Sequence, residues 1–125
     1  MIIEDNLLNQ KITASVIKAL GHEAIQIFEG TKALEAIKQE KPDLIILDII
    51  FPDISGIEIC AKVKLDAELK DIPVIVVTSL SADEDKKRIL KESGCNSYIA
   101  KPFTAELFVK IIASYIPVKH LDWSC

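Results

Sequence analysis

Asp48 interrupts an otherwise apolar run from Leu44 to Phe51, bounded by Pro42 before and Pro52 after. Unbroken apolar residues with a β-branched bias read as a strand buried on both faces, as in a parallel sheet. A carboxylate at the C-terminal end of such a strand either caps the turn that follows or does chemistry. Three other apolar stretches end in a comparable way. Ile2 and Ile3 run into Glu4 and Asp5, residues 73–78 end on the hydroxyl of Thr78, and residues 97–100 are followed by Lys101. Taken singly, a solvated strand end accounts for Glu4 and Asp5, a β-former for Thr78 and a surface charge for Lys101. Brought to one crevice, they would be three acids, a hydroxyl and an amine. Three like charges so close need compensation, and a cluster of hard oxygen ligands suits Mg²⁺. A divalent ion flanked by Asp48, a lysine and a hydroxyl is equipped for phosphoryl transfer, because metal and ammonium neutralise the phosphoryl oxygens.

Whether these groups meet depends on the elements that carry them. After the short first strand, Asn6 can cap a helix in which Leu8, Ile12, Val16 and Leu20 recur every four residues and which Gly21 stops. Residues 23–28 make a second strand, and 31–40 a helix with Leu34 and Ile37 inward. Residues 44–48 are the central strand. Residues 57–65 form the next helix, with a vague boundary in the charged segment that follows. Residues 73–78 form another strand buried on both faces. Ser81 with Glu84 three residues on is a capping box that opens a helix closed by Gly94. Between Ala82 and Glu92 only Ala82, Ile89 and Leu90 are apolar, so this helix grips the core weakly, and such elements supply mobile switches. Residues 97–100 form a fifth strand. Thr104 opens a last helix with Leu107, Phe108, Ile111, Ile112 and Tyr115 on one stripe, ended by Pro117. Five strands alternating with five helices predict an α/β fold with a doubly wound parallel sheet of order 2-1-3-4-5, flavodoxin-like (βα)5. In that order the four strand ends named above lie side by side.

At 125 residues the chain makes one domain, residues 1–117, with a short tail at 118–125. Half the residues are hydrophobic and 27% are charged, which predicts a soluble globular protein. A net charge of −4 argues against a nucleic-acid partner. No apolar run is long enough to cross a bilayer, so a cytoplasmic location with no membrane partner is expected. Cys60, Cys95 and Cys125 are widely spaced and read as reduced thiols, and His22 and His120 as ordinary surface residues.

The set formed by Glu4, Asp5 and Asn6, by Asp48 with Pro52 and Gly56, by Thr78, and by Tyr98, Lys101, Pro102 and Phe103 resembles the receiver domain of two-component response regulators. The resemblance spans essentially the whole chain. It implies that Asp48 accepts a phosphoryl group from a phosphohistidine, on a histidine kinase or a histidine phosphotransfer protein. It implies that Asp5 and Asp48 ligate Mg²⁺ with the backbone carbonyl of Ile50, and that Glu4 acts mainly through water. Lys101 would pair with the phosphoryl oxygens, and Lys101–Pro102 matches a bond that is usually cis. Thr78 and Tyr98 would be the switch pair. The resemblance also implies a phosphoprotein that catalyses only its own phosphorylation and dephosphorylation. We expect the downstream partner on helix 4, strand 5 and helix 5.

Two departures carry consequences. Only Met1 to Ile3 precede the acidic pair, so the first strand is expected to be clipped or marginal, which leaves open excision from a larger protein such as a hybrid kinase. Ile50 and Leu80, two residues beyond Asp48 and Thr78, are apolar and cannot orient an attacking water, which predicts slow self-dephosphorylation. Among rivals, a haloacid-dehalogenase-like phosphatase would need an acid where Ile50 stands. A flavodoxin-like cofactor binder would need a phosphate cradle where Glu4 and Asp5 would repel phosphate. A phosphorylation-independent interaction module on the same fold is the alternative, and it would bind no Mg²⁺. A single-domain regulator or phosphorelay intermediate is the preferred form.

Overall fold

The computed structural model describes residues 1–49, 55–79, 83–101 and 103–116. The elements are β1 (Ile2–Ile3), α1 (Leu7–Ala19), β2 (Gln26–Ile27), a 3-10 turn (Gly30–Lys32), α2 (Ala33–Glu40), β3 (Ile45–Asp48), α3 (Gly56–Leu65), β4 (Val74–Thr78), α4 (Asp83–Ser93), β5 (Ser97–Ala100) and α5 (Ala105–Ala113). The strands form one parallel sheet in the order β2-β1-β3-β4-β5, as expected from the alternation of strand and helix. β1 is short, pairing only Ile2 and Ile3 with β2 and β3.

The sheet divides the core. On one face Ile2, Leu44, Ile46, Ile75, Val77 and Ile99 pack against Ala14, Ile17 and Leu20 on the α1 side and Phe108 and Ile112 of α5. On the other, Ile3, Ile45, Leu47 and Val74 meet Ala33 and Ile37 of α2 and Ile59, Cys60 and Val63 of α3. Farther along that second face, Ile49 and Val76 pack with Ile89 of α4, and Tyr98 lies against them.

Helix α1 begins as expected, with the Asn6 side chain accepting a hydrogen bond from the Asn9 N–H, but its inward face is not the Leu8, Ile12, Val16 and Leu20 stripe. Leu8 and Ile12 are exposed, and Gln10, Ala14 and Ile17 are buried instead. A four-residue step overshoots a full turn by about 40°, so Leu8 stands about 120° around the helix from Leu20. Only the end of the stripe reaches the core.

Helix α3 ends at Leu65, and its Lys64 closes the charged segment that follows. The ammonium donates to the carbonyls of Lys70 at 3.2 Å and Ile72 at 2.8 Å, and to Asn96 Oδ1 at 2.8 Å. Burial lowers the Lys64 pKa. In α4, Ile89 and Ser93 are buried while Leu90 is partly exposed, a narrow footing as its composition predicted. Its expected capping residue, Ser81, lies outside the described residues. Thr104 caps α5 by accepting from the Leu107 N–H at 3.1 Å. The Tyr115 and Ser97 hydroxyls are hydrogen-bonded to each other, and Tyr115 also donates to the Asn96 carbonyl at 3.0 Å, which pins the C-terminal side of α5 to the start of β5. Cys60 is buried and Cys95 half-buried, both as free thiols, and burial pushes the Cys60 pKa up to about 11. His22 is half-buried rather than fully at the surface.

Candidate functional site

Side-chain alternation along the strands decides which ends can meet. Glu4 follows Ile2 by two residues, Asp48 follows Ile46 and Lys101 follows Ile99, so these three continue the face that packs on α1 and α5. Thr78 follows Val76, and Tyr98 is the register partner of Val76, so both belong to the α3 and α4 face.

Glu4, Asp5 and Asp48 each offer a carboxylate oxygen within 4.8 Å of the others. Lys101 Nζ lies 3.5 Å from Asp48 Oδ2 and 3.8 Å from Glu4 Oε2. Its backbone N–H donates to the Thr78 carbonyl at 2.8 Å, so the residue that brings the amine is itself held by β4. Glu4 is 6% exposed, and its carboxylate accepts from Asn9 Nδ2 at 3.0 Å. Burial, reinforced by a hydrogen bond to Asp48, pushes the Glu4 pKa up to about 7, against the opposing pull of Asn9 and Lys101. Near neutral pH Glu4 is therefore partly protonated. Bringing like carboxylates together has the cost expected of it, and one ammonium offsets only part of that cost.

Gly56 packs directly against the backbone of Asp48 and Ile49. Its N–H donates to the Ile49 carbonyl at 2.8 Å, and a Cβ there would stand 2.3 Å from the Asp48 carbonyl oxygen and 2.6 Å from Ile49 Cα. No side chain fits that gap. Beside the carboxylates a crevice of about 360 Å³ opens between Glu4, Asp48 and Lys101 on one side and Asn9, Ile12 and Phe103 on the other.

Of the residues singled out from the sequence, Glu4, Asp5, Asp48 and Lys101 come together. Thr78 is fully buried at the end of β4, one residue beyond the register partner of Asp48. The Tyr98 ring packs beside Val76 and Ile89, Lys86 Nζ lies 5.9 Å from its centroid, and its buried hydroxyl has no partner among the described residues. Ile50, Leu80 and Pro102 lie outside the described residues. Asn9 and Gln10 were not anticipated. The legible signal for Gln10 was its spacing: it stands four and seven residues before Ala14 and Ile17 and shares their inward face, where a polar side chain needs a partner.

A doubly wound parallel sheet with an acidic pair after its first strand, an aspartate after its third and a lysine after its fifth defines a class of α/β signalling domain. The family model for the response regulator receiver domain matches residues 1–113. The chain is 42% identical to the polar-differentiation response regulator DivK of Brucella anthropi, over 93% of this chain and 94% of that protein. It belongs to the response regulator receiver domain family of two-component systems. Among solved structures, a putative response regulator from Chloroflexus aurantiacus superposes with a TM-score of 0.84 at 27% identity, covering 91% of this chain and 93% of that one. The receiver domain of a sensor histidine kinase from Pseudomonas aeruginosa, which has a magnesium ion coordinated in its active site cleft, superposes with a TM-score of 0.83 at 24% identity, covering 91% and 93%. No helix among the described residues is long and apolar enough to cross a membrane.

Proposed function

We propose that this chain is a phosphoacceptor: residues 1–117 form the receiver domain, residues 118–125 a short tail, and Asp48 takes a phosphoryl group from a phosphohistidine on a histidine kinase or histidine phosphotransfer protein. The observation that carries the reading is the convergence of three carboxylates within 4.8 Å around a lysine 3.5 Å from Asp48. An Asp48 carboxylate oxygen attacks phosphorus, the phosphorus–nitrogen bond to the donor imidazole breaks, and an acyl phosphate forms. The imidazole leaves with its electron pair and takes up a proton. Lys101, which contacts Asp48 and Glu4 across the crevice, turns its ammonium to the phosphoryl oxygens.

The donor set fits a hard divalent cation, since it is all oxygen and carries more negative charge than Lys101 balances. Glu4, Asp5, Asp48 and the backbone carbonyl of Ile50 would hold Mg²⁺, with Glu4 acting mainly through water, and the ion would neutralise charge on the transferring group. The donor would approach over the crevice rim, where Ile12 of α1 is exposed, with Leu7 and Leu8 also exposed on that helix. Added phosphoryl charge would draw the Thr78 hydroxyl toward it and let Tyr98, whose buried hydroxyl has no partner among the described residues, shift behind it. That movement would alter the α4, β5 and α5 face, where the downstream protein would bind. Lys101–Pro102 is proposed as the bond that holds the lysine over the pocket. The protein would act in the cytoplasm as the receiver of a two-component pathway.

The test is intact-protein mass after incubation with acetyl phosphate and Mg²⁺, beside Asp48→Asn and a sample with chelator. A phosphoryl adduct absent from both controls is expected. No adduct, together with no Mg²⁺ binding, would overturn the reading in favour of a phosphorylation-independent interaction module.

A further inference from the structure

Gln10 is fully buried in the first turns of α1, where an apolar residue would pack without cost. Its amide nitrogen donates to three backbone carbonyls: Ile2 at 2.8 Å, Glu4 at 3.1 Å and Ile27 at 2.8 Å. Two N–H bonds are thus shared among three acceptors on two strands. The amide oxygen has no partner among the described residues. A buried amide with one end overcommitted and the other unmet is retained against a free-energy cost, and the geometry shows what it does there. The β1–β2 ladder covers two residue pairs, Ile2 with Gln26 and Ile3 with Ile27. At its far end the Glu4 N–H donates to the Ile27 carbonyl at 3.0 Å. Gln10 takes over at that point. It bonds to the Ile27 carbonyl from α1 and to the Glu4 carbonyl on the other side, while the preceding residue, Asn9, holds the Glu4 carboxylate at 3.0 Å.

We infer that Gln10 is a positioning residue: its amide extends a two-pair ladder by side-chain hydrogen bonds and holds the backbone of Glu4, and with it the Glu4 and Asp5 carboxylates, facing Asp48. The inference concerns the same site as the proposed function and rests on that reading only for the metal. β1 pairs two residues with each neighbour, so few ladder bonds reach the acidic pair that follows it.

The test is the full chain carrying Gln10→Met, which keeps length and removes both donors, with Gln10→Leu as a second variant should the first fold poorly. Amide hydrogen exchange is read without metal, and Mg²⁺ affinity by titration calorimetry. Exchange at the Glu4 N–H is expected to rise about tenfold while that at Val76 in β4 stays put, and Mg²⁺ affinity to fall several-fold, on the order of what one lost hydrogen bond is worth. Unchanged exchange at Glu4 in a folded variant would overturn the inference. Faster exchange at Glu4 in a protein whose wild type binds no Mg²⁺ would support the strand-end tie and sink the metal reading instead.

Discussion

Glu4 holds its proton more tightly in the folded chain than in the unfolded one, because its carboxyl is desolvated and faces Asp48. Protonated Glu4 thus adds stability that is complete below pH 4.5 and lost as pH rises through about 7. Metal-free protein should lose up to about 3 kcal/mol of unfolding free energy across that window. Urea titrations at several pH values check this, and Glu4→Gln should flatten the curve. Metal should bind with release of a proton near neutral pH, since a cation prefers the ionised form. At the same scale, Ile50 and Leu80 bear on the lifetime of the acyl phosphate. Neither can orient water, so the phosphorylated state should decay slowly, and Ile50→Asn or Leu80→Glu should shorten it. A lifetime of seconds indifferent to both changes would count against the proposal.

The elements were legible wherever period and punctuation agreed. β3, β4 and β5 fall within a residue of their sequence limits, because apolar runs between turn residues leave little freedom, while α5 starts where Thr104 caps it but ends at Ala113, short of Tyr115. α1 was legible as a helix but not in its orientation, since its apolar residues drift around the axis and a glutamine holds the inward position. What the spacing could not reveal was contact between separate segments. Lys64 reads as one more charge in a charged stretch, yet it gathers three carbonyl oxygens from two separate segments. Lys64→Met should cost about 2 kcal/mol in urea unfolding, far more than the exposed pair between Lys41 and Glu68 at 3.7 Å can contribute. The sequence marked Gly56 for its spacing from Asp48, and the structure supplies the reason. Gly56→Ala would press a methyl group into the Asp48 and Ile49 backbone and should cost about 3 kcal/mol in the same assay.

For the whole molecule, the strand order followed from composition and alternation, and with it the meeting of Glu4, Asp5, Asp48 and Lys101. The division of labour across the sheet did not, because it depends on the parity of each strand end. The two core faces should respond independently. Ile37→Val beneath α2 and Ile112→Val beneath α5 should each cost about 1 kcal/mol, and the double variant should match their sum to about 0.5 kcal/mol. Coupling well beyond that would mean that the faces communicate through the sheet. α4, held by Ile89 and Ser93, should exchange its amides faster than α5, held by Phe108 and Ile112.

Lys101 and Tyr98 are three residues apart on one strand and its exit, yet they belong to opposite faces, the amine with the carboxylates and the ring with α4. The sheet therefore stands between the layer that holds the amine and the layer that holds the ring. Residues that choose what meets the acids beside α1 can diverge without disturbing those that choose what meets α4.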